Sequence, residues 1–408
     1  MARALGSAPG IALAAAIVAL AMAAALRHWG MLQPLELAAY DTLLRQRAEL
    51  PAPQPRVVQV GVTEDDIVRF GWPLSDAVLA RLVAALDAGK ARAIGVDIYR
   101  PNPVPPGSAE LDAALRATPS VIWTTRFGDG KWMGIPAPAA LEAGAHTGFS
   151  DLVPDEGGIV RRALLYLDDG KTTQTAFAAR LAFLYLARQG IAPRPDPSDR
   201  DFLRLGGVTL RPLASDTGAY AGADARGYQI LIEFRHGGMF RTVSLGDLLD
   251  GKAAADFFAD RIVVVGVTAD SVKDFVATPL DAEFGADRST FGVTLHGVVA
   301  AQLLEHALDG LAPTMPLPGA AELALIALWA LAGASLGAWL RAPLVLLAAL
   351  AAGLLATGAI AYAGFLWGWW LPAVPAALGW SGAAGLASLL TYREERAQRR
   401  ALMRLFSI

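Results

Sequence analysis

Hydrophobic and polar positions along this chain follow two regimes, and each predicts a different kind of element. Ala8 to Leu26 contains no charged residue, a run long enough for one membrane-crossing helix of about 20 residues. From Leu323 to Tyr392 the only charge is Arg341, and breaks at Ala338–Pro343 and Leu366–Trp370 divide that stretch into three further apolar pieces of crossing length. Between these regions the apolar runs are short. Val57 to Val62 reads as a buried strand, and Leu79, Leu82, Val83 and Leu86 then recur at helical spacing between a Ser75 N-cap and Gly89. Ala93 to Tyr99 reads as a second buried strand, so strand, helix and strand follow one another at the spacing of a βαβ unit. A helical pattern at Glu110 to Arg116 leads to a strand at Val121 to Thr125. Gly148 to Val153 and Ile159 to Leu167 flank Pro154-Asp-Glu-Gly-Gly158, which predicts a hairpin, and a helix is predicted over Gln174 to Arg188. Strands at Tyr228 to Phe234 and Ile262 to Val267 and a helix at Gly292 to Leu308 complete the series, with 189–226 the least structured stretch.

The fold class predicted is an α/β body, a mixed sheet flanked by helices, plus α-helical transmembrane segments. The expected organisation is a cytoplasmic N-terminus over 1–7, a transmembrane helix over 8–29, the α/β body over 30–316, transmembrane helices over 317–340, 343–366 and 369–391, and a cytoplasmic tail over 392–408. A cleaved signal peptide is the alternative for the first segment, because Ala23-Ala-Ala25 offers small residues near its end.

Charge gives the arrangement a direction. The body holds 27 Lys/Arg and 35 Asp/Glu, whereas 393–408 holds five Arg and two Glu. Four alternating spans put Arg341 and the basic tail on one side, which the positive-inside bias makes the cytoplasm, and the Trp-rich turn Leu366 to Pro372 fits the opposite interface. Arg27 and His28, after the first span, oppose this assignment locally. The expected location is a membrane bordering the cytoplasm, with the body outside the cytoplasm and the bilayer as a partner. With 408 residues, 54% hydrophobic and 18% charged, a net charge of −3 and no cysteine, the chain is neither a disordered polymer nor a basic nucleic-acid-binding module, and disulfides and thiolate metal sites are excluded.

Five histidines without H-E-x-x-H spacing, and the lack of a Walker A run or a G-x-S-x-G elbow, remove several enzyme classes. The candidate site lies instead at the predicted C-terminal ends of strands, where open α/β sheets bind ligands. It comprises Asp65, with Glu64 and Asp66, after the first strand, Asp97 in the second, and Asp270 and Asp274 after Val267. These carboxylates make either a site for a cation or polar ligand, or helix caps and turn acceptors. Trp72 and His296 join the candidates, each with core packing as its alternative.

The ordered series Tyr40-Asp-Thr-Leu-Leu-Arg45, Val57-Val-Gln-Val-Gly-Val62, Gly71-Trp-Pro73, Ile94-Gly-Val-Asp-Ile-Tyr99, Leu111-Asp-Ala-Ala-Leu115, Asp155-Glu-Gly-Gly-Ile-Val-Arg-Arg162, Val243-Ser-Leu-Gly-Asp-Leu-Leu249, Arg261-Ile-Val-Val-Val-Gly-Val-Thr-Ala269, Asp274, Thr278-Pro-Leu280 and Gly292-Val-Thr-Leu-His296 resembles the type-2 CHASE sensor domain of bacterial adenylate cyclases and histidine kinases. Where such domains often carry Ala and Asn after the His, this chain has Gly297 and Val298. Arg399 to Ser407 looks like the lead into a class III cyclase, and the resemblance implies a homodimer that senses an unknown extracytoplasmic ligand and sets the pose of two cyclase domains making cAMP from ATP. Arg393, Arg400, Leu405 and Phe406 are the expected transmission residues, on a helix where Glu395 precedes Arg399 by four. The 16 residues after the last span are far too few for a cyclase, so catalytic residues, Mg and ATP belong to a domain outside this sequence, and no cofactor is expected here. The alternatives are the sensor module of a membrane histidine kinase, or a membrane-anchored periplasmic protein that binds a metal or ligand.

Overall fold

The structure, a computed structural model, describes residues 8–48, 54–128, 133–168, 170–235, 240–254, 256–281 and 290–406. The chain forms two compact units, one of 1–43, 214–224 and 314–408, the other of 44–213 and 225–313. In chain order the helices are α1 (Ala8–His28), α2 (Gln33–Ala48), α3 (Glu64–Phe70), α4 (Asp76–Ala88), α5 (Ser108–Ala117), α6 (Phe177–Ala187), α7 (Leu245–Leu249), α8 (Gly292–Leu304), α9 (Gly319–Trp339), α10 (Pro343–Leu366) and α11 (Ala373–Phe406). The main strands are β1 (Val57–Val62), β2 (Ala93–Asp97), β3 (Val121–Thr125), β4 (Thr147–Phe149), β5 (Arg162–Asp168), β6 (Thr173–Thr175), β7 (Tyr228–Leu231), β8 (Arg241–Ser244) and β9 (Ile262–Val267).

In the α/β unit six strands form one sheet in the order β8-β1-β9-β2-β3-β4, every pairing parallel. A parallel sheet is covered on both faces, and the Val/Ile-rich strands β1 and β9, buried at every position, follow from that. One face packs Val58, Val60, Val263 and Val265 against Leu79, Leu82 and Leu86 of α4, Leu111 of α5 and Leu245 of α7. On the other face the strands carry glycine where α6 and α8 cross. A Cβ on Gly95 would fall 2.5 Å from Leu181, and one on Gly266 the same distance from Val293.

The sheet differs from the sequence expectation in being purely parallel. Antiparallel pairing lies outside it, chiefly in a separate sheet, β7-β5-β6. Only Val153 and Arg162 bridge across the expected hairpin, because Thr147–Phe149 joins β3 instead. The turn between them is closed by charge: the buried Asp155 carboxylate accepts from Arg161 Nη1 at 2.9 Å and from Arg162 Nε at 2.9 Å. The helix expected from Gln174 begins at Phe177, since Thr173–Thr175 pairs with β5. The last helix of the body loses α geometry at Leu304 and continues as a π turn over Glu305–Asp309 that stops at Gly310. The stretch 189–226 is more ordered than its composition suggests. Arg194–Pro195, Leu203–Leu205 and Val208–Leu210 make a small antiparallel sheet, pinned by Asp196, which accepts from the Ser198 amide at 2.9 Å and from the Thr209 hydroxyl.

The helical unit holds four helices long and apolar enough to cross a membrane: α1, α9 and α10 in full, and Ala373–Arg404 within α11. Ala12, Ala15, Ala16 and Ala19 of α1 pack with Ala330, Ala334 and Ala338 of α9 and Ala383 and Ala387 of α11. Helix α10 is the least enclosed and is tied in by hydrogen bonds from Trp329 Nε1 to Thr357 Oγ1 (2.6 Å) and from Trp380 Nε1 to the Leu350 carbonyl (3.2 Å). At one end Met315–Pro316 pairs with Trp369–Trp370, and the Glu36 carboxylate accepts from the amides of Ala373 (3.1 Å) and Val374 (2.7 Å), capping α11. The same unit pairs Arg27 with Glu322.

Candidate functional site

The residues brought together lie beyond the C-terminal ends of β2, β3 and β9. Asp97 is the last residue of β2 and His296 sits in the second turn of α8; their side chains are about one-tenth exposed, with His296 Nε2 3.9 Å from Asp97 Oδ2. That separation is too long for a hydrogen bond. The Phe177 ring meets the imidazole edge-on, with centroids 5.4 Å apart. Asp274 approaches from the segment after β9. Its carboxylate oxygens lie 3.1 Å from the point a Cβ would occupy on Gly292, so the glycine that opens α8 leaves room for this carboxylate.

Electrostatics in this cluster follow from burial. Loss of solvent drives the Asp97 carboxyl up to about 7, with the Thr124 side chain opposing the shift. Burial likewise pushes His296 down to about 4, against the pull of Asp274 and Asp151. Asp274 is raised by burial and by Asp97, and lowered by His296. Near neutrality the imidazole is therefore uncharged, and Asp97 keeps its proton to a higher pH than a solvated carboxyl does. Tyr99, two residues past Asp97, reaches Ser150 Oγ at 2.8 Å, and burial raises its phenol.

The other sequence candidates lie apart from this cluster. Asp65 is exposed on the first turn of α3, while its neighbour Asp66 is buried and caps that helix. Asp270 is exposed at the start of a short 3-10 turn, where the adjacent Ser271 donates its amide (2.7 Å) and hydroxyl (2.9 Å) to Glu64. Trp72 is 39% exposed, after the C-cap of α3. Among the described residues no group of three or more His, Asp or Glu is placed to hold a metal ion. The single acidic cleft expected from sequence is thus divided into one buried cluster and a set of local caps.

Of the transmission candidates, Arg393 and Arg400 are exposed on α11, and the side chains of Leu405 and Phe406 lie outside the described residues. Glu395, expected to support Arg399 on its own helix, is instead paired with Arg341 Nε at 2.8 Å. This ties the turn between α9 and α10 to the basic stretch of α11. Sequence reasoning named Asp66 with its neighbours and offered capping as an alternative, without using the T-x-x-D spacing from Thr63 that singles it out, and it missed Arg180, a lone arginine in an apolar helix that carries no motif.

A parallel α/β sheet with a polar cluster at its strand ends, in a chain with four apolar helices of crossing length, defines a membrane protein with a ligand-scale α/β domain. The family is the CHASE2 domain, which matches residues 15–335, from within α1 to within α9. The chain belongs to that family, a sensor domain of signalling proteins. No curated protein and no solved structure matches it.

Proposed function

We propose that this chain is the extracytoplasmic sensor and transmembrane module of a homodimeric receptor adenylate cyclase in the bacterial inner membrane. The α/β body reads an extracytoplasmic ligand, and α11 hands the resulting displacement to a class III cyclase domain on the cytoplasmic side, where ATP and Mg would be used. The observation that carries this reading is the continuity of α11. Its 34 residues run without a break from an apolar span into the arginine-rich stretch. At 1.5 Å per residue that is roughly 50 Å, well beyond a hydrocarbon core of about 30 Å. A helix unbroken across that boundary transmits rotation or translation, whereas a flexible joint would dissipate it. The Arg341–Glu395 pair supports the assigned topology, because it draws the α9–α10 turn and the basic stretch to one side, as the positive-inside bias requires.

The test is a fusion of residues 1–408 to a class III cyclase domain, compared with the same domain carried on 317–408 alone. A difference in cAMP output between two membrane-inserted proteins of equal abundance is expected. Equal output overturns cyclase coupling, and the same comparison with a histidine kinase domain then tests the other output.

A further inference from the structure

Beside the buried cluster, the α/β unit has an open cavity of ≈ 630 Å³, inside the range of about 300–1,000 Å³ typical of small-molecule sites. Its walls are chemically divided. Ile135, Pro136, Ala137 and Leu141 present an apolar side, while Thr125, Thr173 and Thr175, at the ends of β3 and β6, supply hydroxyls. Arg180, in the first turns of α6, and the exposed Arg126, just past β3, also line it. Gly148 fixes this helix against the cavity wall, since a Cβ there would fall 2.6 Å from the Phe177 Cα.

Arg180, which is half-buried, differs from the buried arginines of the unit in its partners. Arg161 and Arg162 face Asp155, and Arg100 faces Asp76. The Arg180 guanidinium has no carboxylate partner among the described residues; its Nε, like those of Arg92 and Arg100, is buried without a hydrogen-bond acceptor, and the Tyr166 phenol is close enough to act on it electrostatically. Folded proteins seldom leave such a donor unmatched, because desolvation of a charged group is recovered only through a partner. A guanidinium matches a carboxylate with two parallel hydrogen bonds. We infer that this cavity binds a small organic carboxylate, its carboxylate on Arg180 and its apolar body against the Ile135–Leu141 wall. Arg180 is the less exposed of the two arginines that line the cavity, and the apolar wall favours a carbon skeleton over a bare inorganic anion.

This assignment takes its meaning from the sensor reading, but its test does not need an output domain. Residues 1–408 in lipid nanodiscs are titrated calorimetrically with phenylacetate and 2-naphthoate, and in parallel with neutral phenylacetamide and inorganic phosphate. Saturable binding of at least one carboxylate is expected, with the amide and phosphate at least tenfold weaker. R180Q is expected to weaken carboxylate binding at least tenfold, R180K to retain part of it, and R188Q, at the exposed end of α6, to leave it unchanged. If R180Q does not fold, the contrast between carboxylate and amide on the unaltered chain decides. No saturable carboxylate binding, equal binding of the amide, or undiminished binding by a folded R180Q overturns the inference. Binding without any change in fusion output removes the receptor reading and keeps the ligand class; altered output without carboxylate binding does the opposite.

Discussion

The two units of this chain pack tightly by opposite means. In the α/β unit, branched and aromatic side chains fill the space between sheet and helices, as with Trp123, which is fully buried and donates its indole N–H to the Ile98 carbonyl at 2.7 Å. In the helical unit the backbones themselves meet. A Cβ on Gly333 or Gly337 would lie 2.1 Å from the carbonyl oxygen of Trp380 or Ala384. The difference follows from the solvent each unit is suited to. Burying large apolar side chains is worth about 25 cal/mol per Å² in water, but in lipid they gain nothing by leaving the surroundings, so close backbone approach has to supply the contact.

The largest effect is expected where that contrast is sharpest. Gly337→Leu would force α9 and α11 apart and should cost about 3 kcal/mol or more, at the upper end of overpacking penalties. Gly358→Leu, on α10 where nothing lies within 4 Å of the added Cβ, should be close to neutral. Detergent-solubilised protein unfolded by heat and followed by tryptophan fluorescence would show the separation. Similar effects from both would mean that α9 and α11 do not meet through their backbones.

The next prediction turns on buried polar groups, and its signs oppose each other. Burial raises the Asp97 carboxyl to about 7, so between about 4 and 7 the native state holds a proton that the unfolded chain has released, and this group's contribution to stability falls as pH rises. His296 is depressed to about 4, so from about 6.5 down to 4 the unfolded chain takes up a proton that the native state refuses, and its contribution falls as pH drops. The two slopes largely cancel between pH 4 and 6.5. Asp97→Asn should expose the histidine's slope, giving a protein whose stability increases with pH over that window. His296→Gln should expose the carboxyl's, giving the reverse up to about pH 7. The change across the window should be about 1–3 kcal/mol in each variant, read by denaturant unfolding at a series of pH values. Parallel pH profiles for both variants would remove the buried cluster as a titrating unit.

Legibility in the sequence divided along the same line as the packing. The apolar helices stand out because lipid tolerates almost no charge, and α1 and α10 consist almost wholly of such runs. The Val-rich strands β1 and β9 were equally plain, as was the placing of Asp97 near a strand end, because a parallel sheet demands largely apolar runs and leaves its ligand edge to the loops. What stayed hidden depends on contacts between distant segments. Asp274 meets the start of α8, Asp155 takes two arginines at once, and Thr173–Thr175 leaves a helical pattern to pair with β5. Arg180 was invisible for a further reason, since its interest lies in lacking a carboxylate partner, which no local pattern encodes.

Asp65 and Asp66 put that distinction to its smallest test. The two carboxylates are adjacent, and in the sequence only the T-x-x-D spacing from Thr63 separates them. Asp66 accepts from the Thr63 amide and hydroxyl at 2.9 Å and, through its other oxygen, from the Gly246 amide at 2.7 Å, so one side chain holds the first turns of both α3 and α7. Glu36 does the corresponding work in the helical unit, where it takes two amides of α11. Removing the carboxylate leaves buried amides unmatched, so Asp66→Ala should cost about 1–2 kcal/mol, measured as a shift in the unfolding midpoint of the full chain. Asp66→Asn, which keeps one acceptor oxygen, should recover part of that, while Asp65→Ala, at an exposed position, should stay within about 0.5 kcal/mol. Equal losses at 65 and 66 would indicate that the first turn of α3 answers to its negative charge as a whole, through the helix dipole, and that the Gly246 hydrogen bond adds nothing.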